Sequence, residues 1–202
     1  MFVTDDGYRL VGIDTDGSNV QVIAGGPDDT GVFSPPSVAD GTAYVGGMEG
    51  RVRAFDTATG EQRWARGVGG GGVPGPPVVG DGRLYVVNSG MVHALTTDGQ
   101  TLWERPSEEF GLGQSDLGLP IRAGEMLYVG GFAGARADDG NPAGFVSALD
   151  VADGSERWTY TTRGYWDDSG NPDIQAGTFA PVAVADGAVF VATGAGDLYA
   201  LG

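Results

Sequence analysis

One phrase recurs along this chain, and a repeat constrains the fold more than any single residue does. Residues 54–64 read AFDTATGEQRW, residues 94–103 read ALTTDGQTLW, and residues 148–158 read ALDVADGSERW. Ala200-Leu201-Gly202 matches the opening of the phrase, and Gly12-Ile13-Asp14-Thr15-Asp16-Gly17 is a weaker copy. In the first full copy, Val52 and Ala54 alternate with polar neighbours in the manner of a half-buried strand. Thr57 to Gly60 supplies a tight turn, with Gly60 free to take φ > 0. The return strand ends on Trp64, a large ring that needs a neighbour to cover it. The period is about forty residues, with insertions in the later copies, which fits four short strands. That is the size of one blade of a β-propeller.

The predicted fold is all-β: a β-propeller of four-stranded antiparallel blades, about four to five in number, forming a single domain over residues 1–202. Repeats fall at about 1–24 (partial), 34–66, 75–105, 118–160 and 179–202 (partial). Asp40-Gly41, Asp81-Gly82 and Asp186-Gly187 read as hairpin turns. Pro106–Gly118 reads as an acidic loop, Phe132–Gly144 as an insertion and Thr161–Thr178 as the longest loop. Strand counts per repeat are three, four, four, four and three, the first repeat lacking its first strand and the last its fourth. Three arrangements meet that count: a piece of a larger propeller, a small ring of about five blades, or an open arc completed by another copy. An incomplete member of a larger-propeller family is favoured.

Composition narrows the setting. The net charge is −16, and no lysine is present, so arginine carries every fixed positive charge. Such a surface repels itself in dilute buffer and is tolerable where salt shortens the Debye length to ~3 Å. This predicts a halophilic protein of haloarchaeal type. Nucleic acid is disfavoured as a partner, because no basic patch neutralises phosphates. No cysteine is present, which excludes disulfides and thiolate metal sites. No apolar run reaches the length of a transmembrane helix, and the opening MFVTDDGYRL does not have the pattern of a signal peptide.

In an antiparallel meander alternate connections emerge on opposite faces. The short turns lie on one face, and the long segments lie on the other. Loops on a rigid scaffold commonly carry function, so the long-loop face is the expected binding face. Two features stand out there. Asp167, Asp168, Asn171 and Asp173 form an oxygen-rich stretch that suggests calcium, which takes six to eight oxygen ligands; Asp138-Asp139-Gly140-Asn141-Pro142 echoes it. In so acidic a chain a solvated turn is the default reading of both, and neither has the full spacing of an EF-hand loop. Tyr165 and Trp166 are placed to stack on a planar ligand or to anchor the loop, with Phe110 and Phe132 on the same face. His93 is expected to be a packed or surface strand residue, Glu108, Glu109 and Asp116 a solvated acidic loop. The Gly69–Gly72 run precedes no helix and is no phosphate cradle.

The spacing Ala54-x-Asp56-x-x-Thr59-Gly60-x-x-x-Trp64 resembles the tryptophan-docking motif of PQQ-type β-propellers. Ala148, Asp150, Gly154 and Trp158 match it with Asp153 in the threonine place. Ala94 to Trp103 matches with one deletion and Thr96 in the aspartate place. The phrases SPPSVADGTAYVGG, GPPVVGDGRLYVVN and APVAVADGAVFVAT are similar to the same family. The resemblance implies that each tryptophan packs between adjacent blades, that the aspartate and threonine bind the turn, and that the motif itself does not hold PQQ. The family includes quinoprotein dehydrogenases, which use PQQ and calcium, and non-catalytic propellers such as BamB-like assembly lipoproteins and haloarchaeal surface proteins. The function expected is a non-catalytic scaffold or protein-interaction platform, engaging protein partners or other copies of itself. The alternative is a PQQ-dependent oxidoreductase or a fragment of one, and a glycan-binding propeller is a third class. By the same resemblance, an extracytoplasmic or cell-surface location is expected.

Overall fold

The computed structural model describes residues 1–5, 9–24, 31, 34–88, 90–110, 115–133, 143–163 and 182–202. The described residues are all-β, arranged as the antiparallel sheets of β-propeller blades. The first sheet is β1 (Phe2–Thr4), β2 (Leu10–Ile13) and β3 (Val20–Ala24). The second is β4 (Ser37–Ala39), β5 (Thr42–Gly46), β6 (Arg51–Asp56) and β7 (Gln62–Gly67). The third is β8 (Val78–Gly80), β9 (Arg83–Asn88), β10 (Met91–Thr96) and β11 (Thr101–Pro106). The fourth is β12 (Ser115–Leu117), β13 (Ile121–Ala123), β14 (Met126–Ala133), β15 (Ala143–Asp150) and β16 (Glu156–Thr161). The last is β17 (Ala183–Ala185), β18 (Ala188–Ala192) and β19 (Leu198–Leu201). The chain divides into two compact units, residues 1–89 with 93–102 and residues 90–92 with 103–202.

Local chemistry explains the hairpins. At Asp40-Gly41, Asp81-Gly82 and Asp186-Gly187 both residues have positive φ, +47/+71, +49/+72 and +51/+80. Two central residues of positive φ give the turn whose twist matches that of paired strands, which is why Asp-Gly recurs there. A second local device repeats beside the tryptophans. The β6–β7 register slips between Ala54 and Phe55, and the β15–β16 register slips between Ala148 and Leu149. In both cases the alanine sits directly opposite the tryptophan, Ala54 against Trp64 and Ala148 against Trp158. A small residue facing a large one leaves room for the ring to lie along the sheet.

In the first unit the second sheet is buried on both faces, so β5 is buried along its whole length. Tyr44, Val52 and Ala54 pack with Val68, Val73, Leu84, Val86 and Leu95. Ala43, Val45 and Phe55 turn the other way and pack with Leu10, Phe2 and Ile23. Strands enclosed on both sides read as continuous apolar runs, as TAYVG and RLYVV do. In the second unit Val146, Val182, Val189 and Val191 form a cluster that Tyr128, Trp158, Tyr199 and Leu201 border.

The fourth sheet departs from the sequence expectation. Residues 115–117, placed in an acidic loop, form β12 and pair with β14, Ser115 opposite Ala133 and Leu117 opposite Gly131. The strands flanking the insertion are also longer than expected, β14 reaching Ala133 and β15 starting at Ala143. Gly130, Gly131 and Gly144 weaken the strand signal here, because glycine has low strand preference and no side chain to show alternation. Residues 107–110 form a 3-10 turn.

Candidate functional site

The recurring turn is built first from backbone. Gly60, Gly99 and Gly154 all sit at positive φ, +75, +81 and +73. Their N–H groups donate to the carbonyls of Asp56, Thr96 and Asp150, each at 2.9 Å. In the second repeat the Asp56 carboxylate accepts from the Ala58 and Thr59 N–H groups at 2.8 and 2.9 Å. Its other oxygen accepts from Arg63 Nη2 at 2.6 Å. The Arg63 bond, followed by the two backbone bonds, holds the Asp56 carboxyl well below the usual carboxylate range. Thr59 Oγ1 accepts from Glu61 N–H at 3.2 Å. In the fourth repeat Asp153 takes that place and accepts from Ser155 N–H at 2.8 Å, and this bond lowers the Asp153 carboxyl. Asp150 accepts from Ala152 N–H at 2.8 Å and from Arg157 Nη2. In the third repeat Thr96 Oγ1 accepts from Gln100 N–H at 3.0 Å.

Against each turn lies a side chain from the preceding repeat. A Cβ on Gly99 would come 2.9 Å from the Trp64 ring, and one on Gly154 would come 2.7 Å from the Trp103 ring. A Cβ on Gly60 would meet Ile23, at 3.5 Å. The indoles also hydrogen-bond. Trp64 Nε1 donates to the Thr97 carbonyl at 2.9 Å, and Trp103 Nε1 donates to the Val151 carbonyl at 3.2 Å. The same two residues donate their own N–H groups to a hairpin turn, Thr97 to the Gly82 carbonyl and Val151 to the Glu125 carbonyl, both at 3.0 Å. One peptide residue is thus gripped at both its N–H and its C=O. Thr57 donates to the Gly41 carbonyl in the same way. Sequence reasoning missed the gripped residues. The signal for them was their fixed place, three residues after Ala54, Ala94 and Ala148.

Two recesses open beside tryptophans. One of about 360 Å³ is lined by Asp40, Thr42, Tyr44, Arg63, Trp64, Thr97 and Asp98. The other, of about 400 Å³, is lined by Tyr128, Trp158, Thr159, Tyr160, Gly187, Val189, Leu201 and Gly202. Each tryptophan leans on a tyrosine of its own blade: Tyr44–Trp64 centroids are 6.1 Å apart at 45°, and Tyr128–Trp158 centroids are 6.0 Å apart at 51°.

On the long-loop side, the glycine-rich segment after β7 is held in place. Val68 donates to the Gly50 carbonyl and Val73 to the Gly47 carbonyl, at 2.8 and 3.1 Å. A Cβ on Gly46 would collide with Val73 at 2.6 Å, so the close approach requires glycine there. Asn88 Nδ2 donates to the Gly69 carbonyl. His93 is buried in β10. Glu109 pairs with Arg105 at 2.8 Å. Tyr165, Trp166, Asp167, Asp168, Asn171, Asp173 and the 138–142 stretch lie outside the described residues. Among the described residues no three His, Cys, Asp or Glu side chains converge to ligate a metal ion, and no helix is long and apolar enough to cross a membrane.

The family model described as outer membrane protein assembly factor BamB matches residues 9–201. The chain is 32% identical over 133 residues to the outer membrane protein assembly factor BamB of Burkholderia pseudomallei (strain K96243), a match covering 65% of this chain and 30% of that protein. The chain thus spans under a third of the length of that relative. The crystal structure of BamB from Moraxella catarrhalis superposes with a TM-score of 0.69 at 18% identity, covering 99% of this chain and 60% of that one. The quinohemoprotein alcohol dehydrogenase ADHIIG from Pseudomonas putida HK5 superposes with a TM-score of 0.72 at 16% identity, covering 99% of this chain and 38% of that one. At such identities the two structures share the fold. The family match over nearly the whole chain, together with the blade-sized sheets and the recurring turns, places this protein in the BamB family of β-propellers built from PQQ-type repeats.

Proposed function

We propose that this chain is a non-catalytic β-propeller scaffold, a protein-interaction platform in an assembly outside the cytoplasm. The observation that carries this reading is the family match over residues 9–201 to an outer membrane protein assembly factor. The use of the repeat's polar groups supports it. Asp56, Asp150, Thr96, Trp64 and Trp103 each bond a turn or a neighbouring repeat, so the motif's chemistry goes into holding blades together. The motif acts as a tryptophan-docking device, the Trp64 and Trp103 rings each covered by the glycine turn of the next repeat. The alternative, a quinone-dependent oxidoreductase, draws on the fold likeness to a quinohemoprotein alcohol dehydrogenase.

Purified protein incubated with PQQ and calcium separates the two. The scaffold reading expects no quinone absorbance retained after gel filtration and no alcohol-dependent dye reduction; stoichiometric retention with turnover overturns it. The charge of −16 without lysine supports a halophilic origin, because molar salt screens the self-repulsion. Thermal melts followed by circular dichroism are expected to rise steadily across a KCl series, and a flat series removes that part of the reading.

A further inference from the structure

We propose that the recess beside Trp64 binds a guanidinium group, the arginine side chain of a partner polypeptide. The proposal rests on the scaffold reading and names the chemistry that one surface of the scaffold recognises. The recess, of about 360 Å³, is walled by the second and third repeats, each a full four-stranded sheet. Two turns form its rim, Asp40 in the β4–β5 hairpin and Thr97-Asp98 after β10, with Thr42, Tyr44, Arg63 and Trp64 between them. Its volume falls within the roughly 300–1,000 Å³ of small-ligand sites. It sits beside the short turns, where the expected binding face was that of the long loops.

Which ligand fits follows from which polar groups are already used. Arg63 donates from Nη2 to Asp56 at 2.6 Å and from Nη1 to Thr42 Oγ1 at 2.7 Å, so its charge is matched within its own blade. The Trp64 indole N–H is spent on the Thr97 carbonyl. Three groups are left over. The Asp40 and Asp98 carboxylates are exposed at the rim and enter no ion pair or hydrogen bond among the described residues. Tyr44 is 3% exposed, yet its hydroxyl has no hydrogen-bond partner among the described residues, and a buried polar group left so is costly. Two carboxylates and a phenol oxygen offer acceptors and net negative charge, so the complementary ligand is a cation that brings N–H donors. The half-buried Trp64 ring in the same wall favours a planar cation. Guanidinium is planar, weakly hydrated and carries its donors in a fork that matches carboxylates, which K⁺ and ammonium do not. Molar salt screens long-range attraction, and these contact interactions then supply the selectivity. The chain makes a parallel choice one repeat on. Arg83 follows Asp81-Gly82 where Thr42 follows Asp40-Gly41, so the third repeat carries a guanidinium of its own where the second has a short side chain.

The probe is an end-blocked Gly-Arg-Gly peptide, and its control is Gly-citrulline-Gly, which replaces the guanidinium by a neutral urea of similar shape. Each is titrated against the 202-residue protein in about 2 M KCl and followed by NMR at the indole N–H signals. The arginine peptide is expected to shift the Trp64 signal saturably, to leave the buried Trp103 signal in place, and to bind at least about tenfold more tightly than the citrulline peptide. Tyr44→Phe is expected to weaken it about threefold. Asp40→Asn together with Asp98→Ala is expected to abolish the preference for arginine. Both positions are exposed, asparagine tolerates the positive φ at 40, and Ala152 holds the matching place in the fourth repeat, so circular dichroism should show the double variant folded. Equal binding of the two peptides, no saturable shift at Trp64, or a preference that survives in the double variant overturns the proposal. Free arginine, whose own carboxylate the rim repels, is expected to bind more weakly than the blocked peptide; equal or tighter binding assigns the recess to the free amino acid and overturns the polypeptide source. These outcomes leave the scaffold reading standing, since only quinone retention with turnover removes that.

Discussion

After β6, Asp56 spends both carboxylate oxygens on the turn, one on two backbone N–H groups and the other on Arg63. After β10 the turn is one residue shorter, and Thr96 makes a single neutral bond to Gln100 N–H. The charge and the extra residue are gone, yet the turn glycine keeps its left-handed backbone, and the residue three past the alanine still donates to the neighbouring hairpin. Two features persist through the change in side-chain chemistry. One is a glycine that lets a ring approach the backbone; the other is a peptide unit presented to a partner. Those carry the blade contact, and the aspartate tunes a turn that forms without it.

The sharpest way to break this comparison is at the glycine. Gly154→Val places a side chain against the Trp103 ring at positive φ. It is expected to cost roughly 2–6 kcal/mol, strain and overpacking together, read as a shift in the urea midpoint. Gly82→Ala is its control, since a Cβ there meets nothing within 4 Å at φ +72. It should cost only the backbone term, about 1–2 kcal/mol. Similar losses at both sites would mean that the ring contact adds nothing. Removing the indole N–H should cost less than the valine. Trp64→Phe leaves the Thr97 carbonyl without its donor and is expected to lose about 1 kcal/mol.

The smallest effect is predicted for the carboxylate, and it depends on pH. Asp56 is held below its ordinary range in the fold, by Arg63 first and by the Thr59 and Ala58 N–H groups next. Its stabilising contribution is therefore complete above the unfolded value of ~3.9 and is lost as pH falls through the lower folded value. Urea midpoints of the wild type should drop on acidification below about pH 4. Asp56→Asn should start lower at pH 7 and fall less steeply. Parallel pH curves for the two proteins would mean that this turn, like the one after β10, draws nothing from charge.

Much of the scaffold was legible in the residues. Asp-Gly at three short hairpins marked turns whose φ values are positive, and the period of about forty residues marked the blade-sized sheets. The misreading concentrated where glycine erased the pattern, at β12 and along the glycine-bearing ends of β14 and β15. Thr97 and Val151 were marked only by their fixed place three past the alanine; which groups grip them was illegible, because backbone donors and acceptors carry no sequence signature.

The sequence by itself determined the period, the positive-φ turns and the small residue facing each tryptophan, because these depend on sterics within a few residues. The tertiary structure alone decided which carbonyl meets which indole. Trp64 and Thr97 are 33 residues apart and Trp103 and Val151 are 48 apart, and such pairs exist only once neighbouring repeats have stacked. Burial of both sheet faces brings them together; the hydrogen bonds then select one register among the packings that burial would allow.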